Sequence, residues 1–240
     1  MSKLYVVIPA YNEQANIEKV IKQWYPIVEK IGIESRLVIV DDGSSDHTYE
    51  IMKSLAKERP QYIPLSKKNE GHGATVLFAY QYALKEGNLG QTDYIFQTDS
   101  DNQTVPEEFW MFWEQREHYA MVIGHRKKRK DGISRVFVTK ILKLVIRVCF
   151  GVCVKDANTP FRLLNAQILK DNIKDIPPNF NLSNVLISVI YTKKQLPICY
   201  IPITFKVREG GINSLNLKKI VPIGLSALKD FKQINSALFR

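Results

Sequence analysis

The sequence predicts an α/β fold with a central, mostly parallel sheet between layers of helices. Short runs of apolar, largely β-branched residues alternate with segments of helical periodicity, beginning with the runs at residues 4–8 and 36–40. These runs are apolar at consecutive positions, which is typical of strands buried on both faces of a parallel sheet. Each of the two runs ends in a polar loop. In such a sheet the loops that follow the strands share one edge, where ligands bind.

Length and composition predict one domain with an anionic partner. A chain of 240 residues that is 45% hydrophobic can bury a single large core. The formal net charge of +10 indicates a phosphorylated substrate, a nucleic acid or an acidic membrane surface as partner. The 3 cysteines form no Cys-x-x-Cys pair and predict reduced thiols in a cytosolic setting. Charges interrupt every long apolar segment, so we expect no transmembrane span.

The first half of the chain predicts four strands with helices between them. The strands are expected at residues 4–8, 36–40, 62–65 and 94–98. The helices are expected to end near Glu29, Arg59 and Lys85, and Pro26 is expected to bend or break the first of them.

The second half predicts a helix from Pro106, a strand at 120–124, a long helix from about 136, a helix at 182–193 and an edge strand at 198–207. Lys140, Lys143 and Arg147 recur at helical spacing within the long apolar helix. Such a helix either lies on an anionic membrane or packs in the core with one polar face in water, and the pattern leaves both possibilities open.

The segment Asp99-Ser100-Asp101-Asn102-Gln103 follows the fourth predicted strand and carries the main chemical signal. Residues two apart in an extended segment point the same way, so Asp99, Asp101 and Gln103 are predicted to present three oxygens to one side. Oxygen ligands of this kind suit Mg²⁺ or Mn²⁺ shared with a diphosphate. A helix cap or a turn is the alternative explanation for either aspartate.

The loop Asn69-Glu70-Gly71-His72-Gly73-Ala74 opens a predicted helix. Backbone N–H groups at a helix start favour anions, so Gly71 is a candidate for contact with a phosphate or a sugar. Ordinary turn glycines are the alternative explanation.

Four motifs in order resemble the signature of family 2 glycosyltransferases with the GT-A fold, a Rossmann-like three-layer sandwich. They are Val7-Ile8-Pro9-Ala10-Tyr11-Asn12-Glu13, Val40-Asp41-Asp42-Gly43-Ser44-Ser45-Asp46, the loop at residues 69–74, and Asp99-Ser100-Asp101. The segment at 99–103 and the later Asp156-Ala157-Asn158-Thr159-Pro160-Phe161-Arg162 are most similar to the polyprenyl-phosphate sugar synthases, the dolichyl-phosphate mannose synthase group. Pro160 departs from the Gly of many family members. The resemblance covers about residues 4–215.

The resemblance implies a metal-dependent, inverting transfer of a hexose from a UDP- or GDP-linked sugar to polyprenyl phosphate. The Asp-x-Asp would hold Mg²⁺ or Mn²⁺ on the diphosphate, which a metal stabilises as a leaving group. Residues expected to contact the nucleotide sugar are Pro9, Ala10, Tyr11, Glu13, Asp42, Gly71, Asp99, Ser100 and Asp101. Core packing is the alternative for Tyr11, and a first-turn helix charge is the alternative for Glu13.

The resemblance also assigns roles in transfer to four residues. Asp156 is a candidate base near the acceptor, with a turn residue as the alternative. Arg126 and Arg135 are expected to bind acceptor or donor phosphate, for which the planar arginine fork is suited. Arg208, in an Arg-x-x-Gly-x-x-Ser loop, would close over the diphosphate.

We therefore expect one GT-A domain over residues 1–240, with a nucleotide-sugar half at 1–103, an acceptor half at 104–214 and an amphipathic tail at 215–240. The expected location is cytoplasmic, at the inner face of the membrane and in peripheral contact with it. Nucleic acid is not an expected partner, because the basic segment at residues 125–135 lacks interleaved aromatic residues and a recognised binding motif. Two alternatives are a transferase that elongates a cell-surface oligosaccharide or glycan, and an inactive nucleotide-sugar-binding scaffold.

Overall fold

A computed structural model describes residues 2–126, 133–174, 176–206 and residue 231. The side chains of residue 126 and of residues 133–139 are outside this description. The predicted lid residue Arg208 and, apart from Phe231, the predicted tail at 215–240 also lie outside the described residues.

The described strands form a single sheet, which confirms the predicted α/β class. Their bounds are β1 Leu4–Ala10, β2 Arg36–Asp41, β3 Tyr62–Ser66, β4 Tyr94–Gln97, β5 Met121–Arg126, β6 Arg162–Asn165 and β7 Ile198–Ile203. The strand order is β3-β2-β1-β4-β6-β5-β7. Strand β6 runs antiparallel to both of its neighbours, and the other pairs in the described sheet are parallel.

The helices are α1 Ile17–Ile31, α2 Thr48–Ala56, α3 His72–Glu86, α4 Phe109–Glu114, α5 Ile133–Phe150, α6 Ala166–Ile173 and α7 Ser183–Lys193, with a 3-10 turn at Pro106–Glu108. Helix α1 is continuous through Pro26, so the expected break is absent. Within the described chain, no helix is both long and apolar enough to cross a bilayer.

Alternate residues of the buried strands face two separate cores, which makes the fold a three-layer sandwich. On one face, Val7 and Val38 pack in the core that includes buried residues of α3, α6 and α7. On the other face, Val6 and Leu37 pack in the core that includes α1 and α4. An aromatic cluster fills this second core, and its members are Trp24, Phe96, Phe109, Phe112 and Phe161.

The reversal of β6 determines which loops meet. Strands β1, β2, β4 and β5 are mutually parallel in the sheet, so their carboxyl ends lie at one edge, which we call the carboxyl edge. Because β6 runs the opposite way, its first residue, Arg162, lies at this same edge and pairs with Gln97, the last residue of β4. The segment before β6 therefore comes to the loop after β4. Neither β6 nor α6 was expected from the sequence.

Candidate active site

The loop after β1 presents one aromatic ring at the carboxyl edge. The side chain of Tyr11 is 49% exposed, whereas Pro9 and Ala10 are buried within β1. Asn12 has a left-handed backbone (φ 52°), and its N–H donates to Ser44 Oγ at 2.9 Å. Asn12 Oδ1 in turn accepts from the backbone N–H of Ser45 at 2.9 Å. The loops after β1 and β2 are thus joined, and Tyr11 is an exposed aromatic residue beside this junction.

Glu13 is a buried residue that helps to start α1. Its side chain is 6% exposed and accepts a 2.8 Å hydrogen bond from the Asn16 amide. Its backbone N–H donates to Thr48 Oγ1 at 2.9 Å, which connects the beginnings of α1 and α2. These contacts favour the structural explanation for Glu13, and a contact with nucleotide stays a prediction.

Asp42 fixes the loop that leads into α3. Its buried carboxylate accepts hydrogen bonds from Lys67 Nζ at 3.1 Å, from the N–H of Glu70 at 3.0 Å and from the N–H of Gly71 at 2.9 Å. Three donors on one carboxylate leave little of its hydrogen-bonding capacity for a ligand. The sequence predicted a contact with base or ribose for Asp42, and the structure adds this loop-holding role.

The glycines of the α3 loop allow another segment to pack closely on it. A Cβ added at Gly71, which has φ 94°, would lie 2.6 Å from Asn181 Oδ1, and one at Gly73 would overlap the Asn181 backbone oxygen. Ser183 Oγ also donates to the Gly73 carbonyl oxygen at 2.9 Å. Close packing therefore accounts for both glycines, and the predicted anion contact of Gly71 remains untested.

The loop after β4 differs from the predicted extended segment. Regular strand geometry ends at Gln97, and Asn102 has a left-handed backbone with φ 57°. Asp101 Oδ1 accepts from the N–H of Gln103 at 3.1 Å, as in a tight turn. The Gln103 amide donates to the Lys206 carbonyl oxygen at 2.9 Å, so this side chain links the loop to the segment after β7. The premise of an extended segment is therefore wrong, while Asp99 and Asp101 remain neighbours at the carboxyl edge. The predicted metal-ligand roles of Asp99, Asp101 and Gln103 stay predictions.

His72 shows that negative charge is concentrated at the carboxyl edge. Its half-exposed imidazole places Nε2 3.1 Å from Asp99 Oδ1. Desolvation lowers the pKa of His72, but the charges of Asp99, Asp101 and Asp42 outweigh it and hold this pKa above its ordinary value. Among the described residues, no group of three or more His, Cys, Asp or Glu side chains is arranged to hold a metal ion. Two neighbouring carboxylates nevertheless fit a hard cation whose other ligands come from phosphate and water.

Arg162 connects the segment before β6 to α7. Its fully buried guanidinium donates to the carbonyl oxygens of Thr159 at 2.6 Å, Ala157 at 3.3 Å and Asn184 at 3.0 Å. Burial lowers the pKa of Arg162, and the nearby Tyr80 hydroxyl and the charges of Asp156 and Asp99 act in the opposite direction. The charges of Asp156 and Asp99, on the two loops that meet here, thus both favour the charged form of Arg162. Asp156 itself is only 9% exposed.

Several buried polar atoms near this junction have no hydrogen-bond partner among the described residues. Among the described residues, buried side-chain atoms without a hydrogen-bond partner include both amide atoms of Asn102, Thr159 Oγ1, Asn184 Oδ1 and His125 Nδ1. Buried polar atoms of folded proteins are usually paired, and exceptions often mark functional sites. Their position, in the loop after β4, beside Arg162 and at the end of β5, favours a polar ligand at the carboxyl edge.

Comparison with known proteins identifies the family. Residues 5–183 match the profile of Glycosyl transferase family 2. The chain belongs to this family. The prediction from the four ordered motifs is therefore confirmed at the level of the family.

Curated relatives of this family 2 member include the undecaprenyl-phosphate 4-deoxy-4-formamido-L-arabinose transferase of Salmonella paratyphi B. It is 28% identical over 172 residues, which cover 70% of this chain and 50% of the relative. The chain thus spans about half the length of the curated relatives it matches.

Solved structures support the GT-A fold. Glucosyl-3-phosphoglycerate synthase of Mycobacterium tuberculosis, in complex with phosphoglyceric acid, superimposes with a TM-score of 0.68 at 19% identity, covering 97% of this chain and 80% of that chain. Its complex with Mn²⁺, UDP and glucosyl-3-phosphoglycerate gives a TM-score of 0.68 at 18% identity over the same shares. The predicted GT-A fold is confirmed.

The structure brings together some of the predicted site residues. Asp99, Ser100, Asp101 and Asp156 lie on the two loops that meet at the carboxyl edge, and Ser100 is buried there. The backbone of Arg126 ends β5 at this edge, and that of Arg135 lies in the first turn of α5. The phosphate-binding roles of these two arginines and the lid role of Arg208 stay predictions.

Sequence reasoning assigned no role to His72, Lys67 or Arg162. The signal for Arg162 was a lone charge in the apolar run Phe161-Arg162-Leu163-Leu164, and the signal for His72 was its place between two glycines. Lys67 carried no comparable signal, because its contact with Asp42 bridges 25 positions of sequence.

Replacement of Arg162 by Met is expected to lower the free energy of unfolding by about 3 kcal/mol or more, because buried carbonyl oxygens then lose their donor. The matched change Arg116→Met removes a partly exposed guanidinium bound to the Trp113 carbonyl oxygen and is expected to cost about 1 kcal/mol or less. Equilibrium urea unfolding of both variants measures the difference. Equal losses would show that Arg162 has no special structural role.

Proposed function

We propose that this protein transfers a hexose from a nucleotide-diphosphate sugar to polyprenyl phosphate, with inversion at the anomeric carbon. The observation that carries the proposal is the meeting of the Asp99–Asp101 loop with the Asp156 segment at the carboxyl edge. One loop would hold the donor diphosphate and the other would face the acceptor. The undecaprenyl-phosphate transferases among the relatives support a polyprenyl phosphate as the acceptor class.

The donor side is built from the loops after β1, β2 and β4. Asp99 and Asp101 are the proposed ligands of Mg²⁺ or Mn²⁺, and the Mn²⁺ and UDP in the Mycobacterium tuberculosis complex support this choice. A divalent ion bound there would neutralise the charge that develops on the diphosphate as it leaves. The exposed ring of Tyr11 is the proposed contact for the base, UDP or GDP, because aromatic faces stack on bases. Asp42 keeps the α3 loop in place beside them.

The acceptor side would use Asp156 together with Arg126, Arg135 and Arg208. In the proposed reaction an acceptor oxygen bonds to the anomeric carbon while the bond from that carbon to the diphosphate oxygen breaks. A lipid phosphate is already anionic at neutral pH and needs arginines to position it more than it needs a base. We therefore propose that the arginines bind the phosphate and that Asp156 orients the reacting groups.

A second candidate is a transferase that elongates an oligosaccharide or glycan. The burial of Asp156 favours it, because a buried carboxylate beside the acceptor is suited to take a proton from a sugar hydroxyl. A hydroxyl must lose that proton as it attacks, whereas an ionised oxygen of a phosphate has none to lose.

Nucleotide binding tests the donor site directly. UDP or GDP with Mn²⁺ is expected to raise the melting temperature, since a ligand held at about 100 times its Kd adds about 2.7 kcal/mol of stability. Asp99→Asn combined with Asp101→Asn should abolish the increase, and the exposed control Asp171→Asn should keep it. An increase of equal size in all three proteins would place the nucleotide away from these carboxylates.

Replacement of Asp156 by Asn separates the two acceptor classes. With polyprenyl phosphate as acceptor, kcat is expected to fall less than about tenfold, because no base is required. Loss of a general base typically costs about 100-fold or more. Transfer assays with radiolabelled nucleotide sugars provide the measurement, and the melting-temperature increase with UDP or GDP is the control for an intact donor site. A loss above 100-fold with that increase preserved would favour a hydroxyl acceptor.

A further inference from the structure

The outer face of α5 carries exposed apolar side chains in one line. Ile141 is 39% exposed, Leu144 is 62% exposed and Val148 is 70% exposed. Spacings of three and four residues place these side chains on the same side of the helix. Large apolar groups exposed singly are common, but three in a row on one helix are typical of a contact surface.

Cations run beside this apolar line. Lys140, Lys143 and Arg147 are all exposed, at the same three- and four-residue spacing. Helix α5 contains no Asp or Glu among its 18 residues. The three positive charges are therefore not neutralised from within the helix. The outer face is therefore both apolar and cationic.

The opposite side of α5 is anchored in the core. Ile146 and Phe150 are buried, and the ring of Phe150 lies 5.2 Å from that of Phe231. The sequence left two possibilities open for this helix, core packing and a membrane surface. Core packing explains the inner side, whereas Ile141, Leu144 and Val148 are not among the described residues that pack in either core.

A groove continues the outer face at the carboxyl end of α5. Its volume is about 470 Å³, and its lining residues are Lys143, Leu144, Arg147, Cys153, Val154 and Lys155. The cations Lys143, Arg147 and Lys155 line this groove together with apolar side chains. Such a lining suits a ligand with an anionic head and an apolar chain. Arginine and lysine donors bind phosphate oxygens in this way.

We propose that the outer face of α5, together with this groove, is a docking surface for a bilayer that contains anionic phospholipid. Ile141, Leu144 and Val148 insert at the boundary between headgroups and acyl chains. Lys140, Lys143 and Arg147 are attracted to the anionic surface, and the groove receives one phospholipid phosphate. The choice of a membrane partner rests on the proposed function, in which the acceptor is a lipid.

The position of the groove relates the docking surface to the candidate active site. Lys155, on the groove wall, directly precedes Asp156. Its Nζ lies 5.5 Å from the centre of the Tyr200 ring. Burial raises the pKa of Tyr200, and the charge of Asp156 acts in the same direction. A bilayer held against α5 would therefore present lipid phosphates beside the acceptor side of the site.

Vesicle co-sedimentation of the full chain, without donor or acceptor, tests the proposal. The protein is expected to bind vesicles of phosphatidylcholine with phosphatidylglycerol and to bind pure phosphatidylcholine much more weakly. Lys143→Glu with Arg147→Glu should weaken binding by about thirtyfold or more, since each cation near an anionic surface contributes about fivefold. Leu144→Ser with Val148→Ser should weaken it about tenfold by removing the inserted groups.

The matched control combines Ile33→Ser with Lys57→Glu. Ile33 is 76% exposed and Lys57 is exposed, and they follow α1 and α2 at the edge of the sheet opposite the carboxyl edge. All substituted positions are exposed, so the variants are expected to fold, and unchanged melting temperatures verify this. The control should bind anionic vesicles as the wild type does.

Two results would overturn the proposal. If both α5 variants bind anionic vesicles as tightly as the wild type, another part of the chain attracts the membrane. If the wild-type protein binds both kinds of vesicle equally, it does not recognise anionic lipid. Either result, with a normal melting-temperature increase from UDP or GDP and Mn²⁺, would leave the proposed donor site intact. Loss of the nucleotide response with normal vesicle binding would instead contradict the proposed function alone.

Discussion

The antiparallel placement of β6 between β4 and β5 is the constraint on which the candidate site depends. A parallel strand in this position would carry the segment before it to the opposite edge of the sheet, away from Asp99. The reversed strand instead places Arg162 against Gln97 and brings the Asp156 segment to the carboxyl edge. The buried guanidinium then holds this segment through its carbonyl oxygens, so the position of Asp156 depends on a cation that faces no solvent.

The other loops at the carboxyl edge are held by contacts between distant parts of the chain. Asp42 holds the loop before α3, and Gln103 joins the loop after β4 to the segment after β7. Hydrogen bonds of this kind order a loop before a ligand arrives, which reduces the entropy lost on binding. The same edge collects the acidic side chains that raise the pKa of His72, so a cation or a proton is favoured there.

The sequence was sufficient to predict most of the sheet and the family, because continuous apolar runs and ordered polar motifs are local signals. It was not sufficient for β6, a four-residue strand whose short apolar run is interrupted by a buried arginine. It also misjudged the geometry of the segment at 99–103, where the left-handed Asn102 turns the chain. The roles of Asp42 and Gln103 depend on partners 25 or more positions away, which no local pattern reveals. For α5, the helical spacing of its cations was visible, but only the fold shows which side is covered.

Anomalous scattering from manganese in crystals grown with UDP or GDP tests most directly whether these loops form one donor site. We expect a manganese peak within coordination distance of a carboxylate oxygen of Asp99 or Asp101, with the diphosphate beside it and the Asp156 segment facing the same cleft. A manganese peak that contacts neither carboxylate, with the nucleotide bound away from the carboxyl edge, would contradict this expectation.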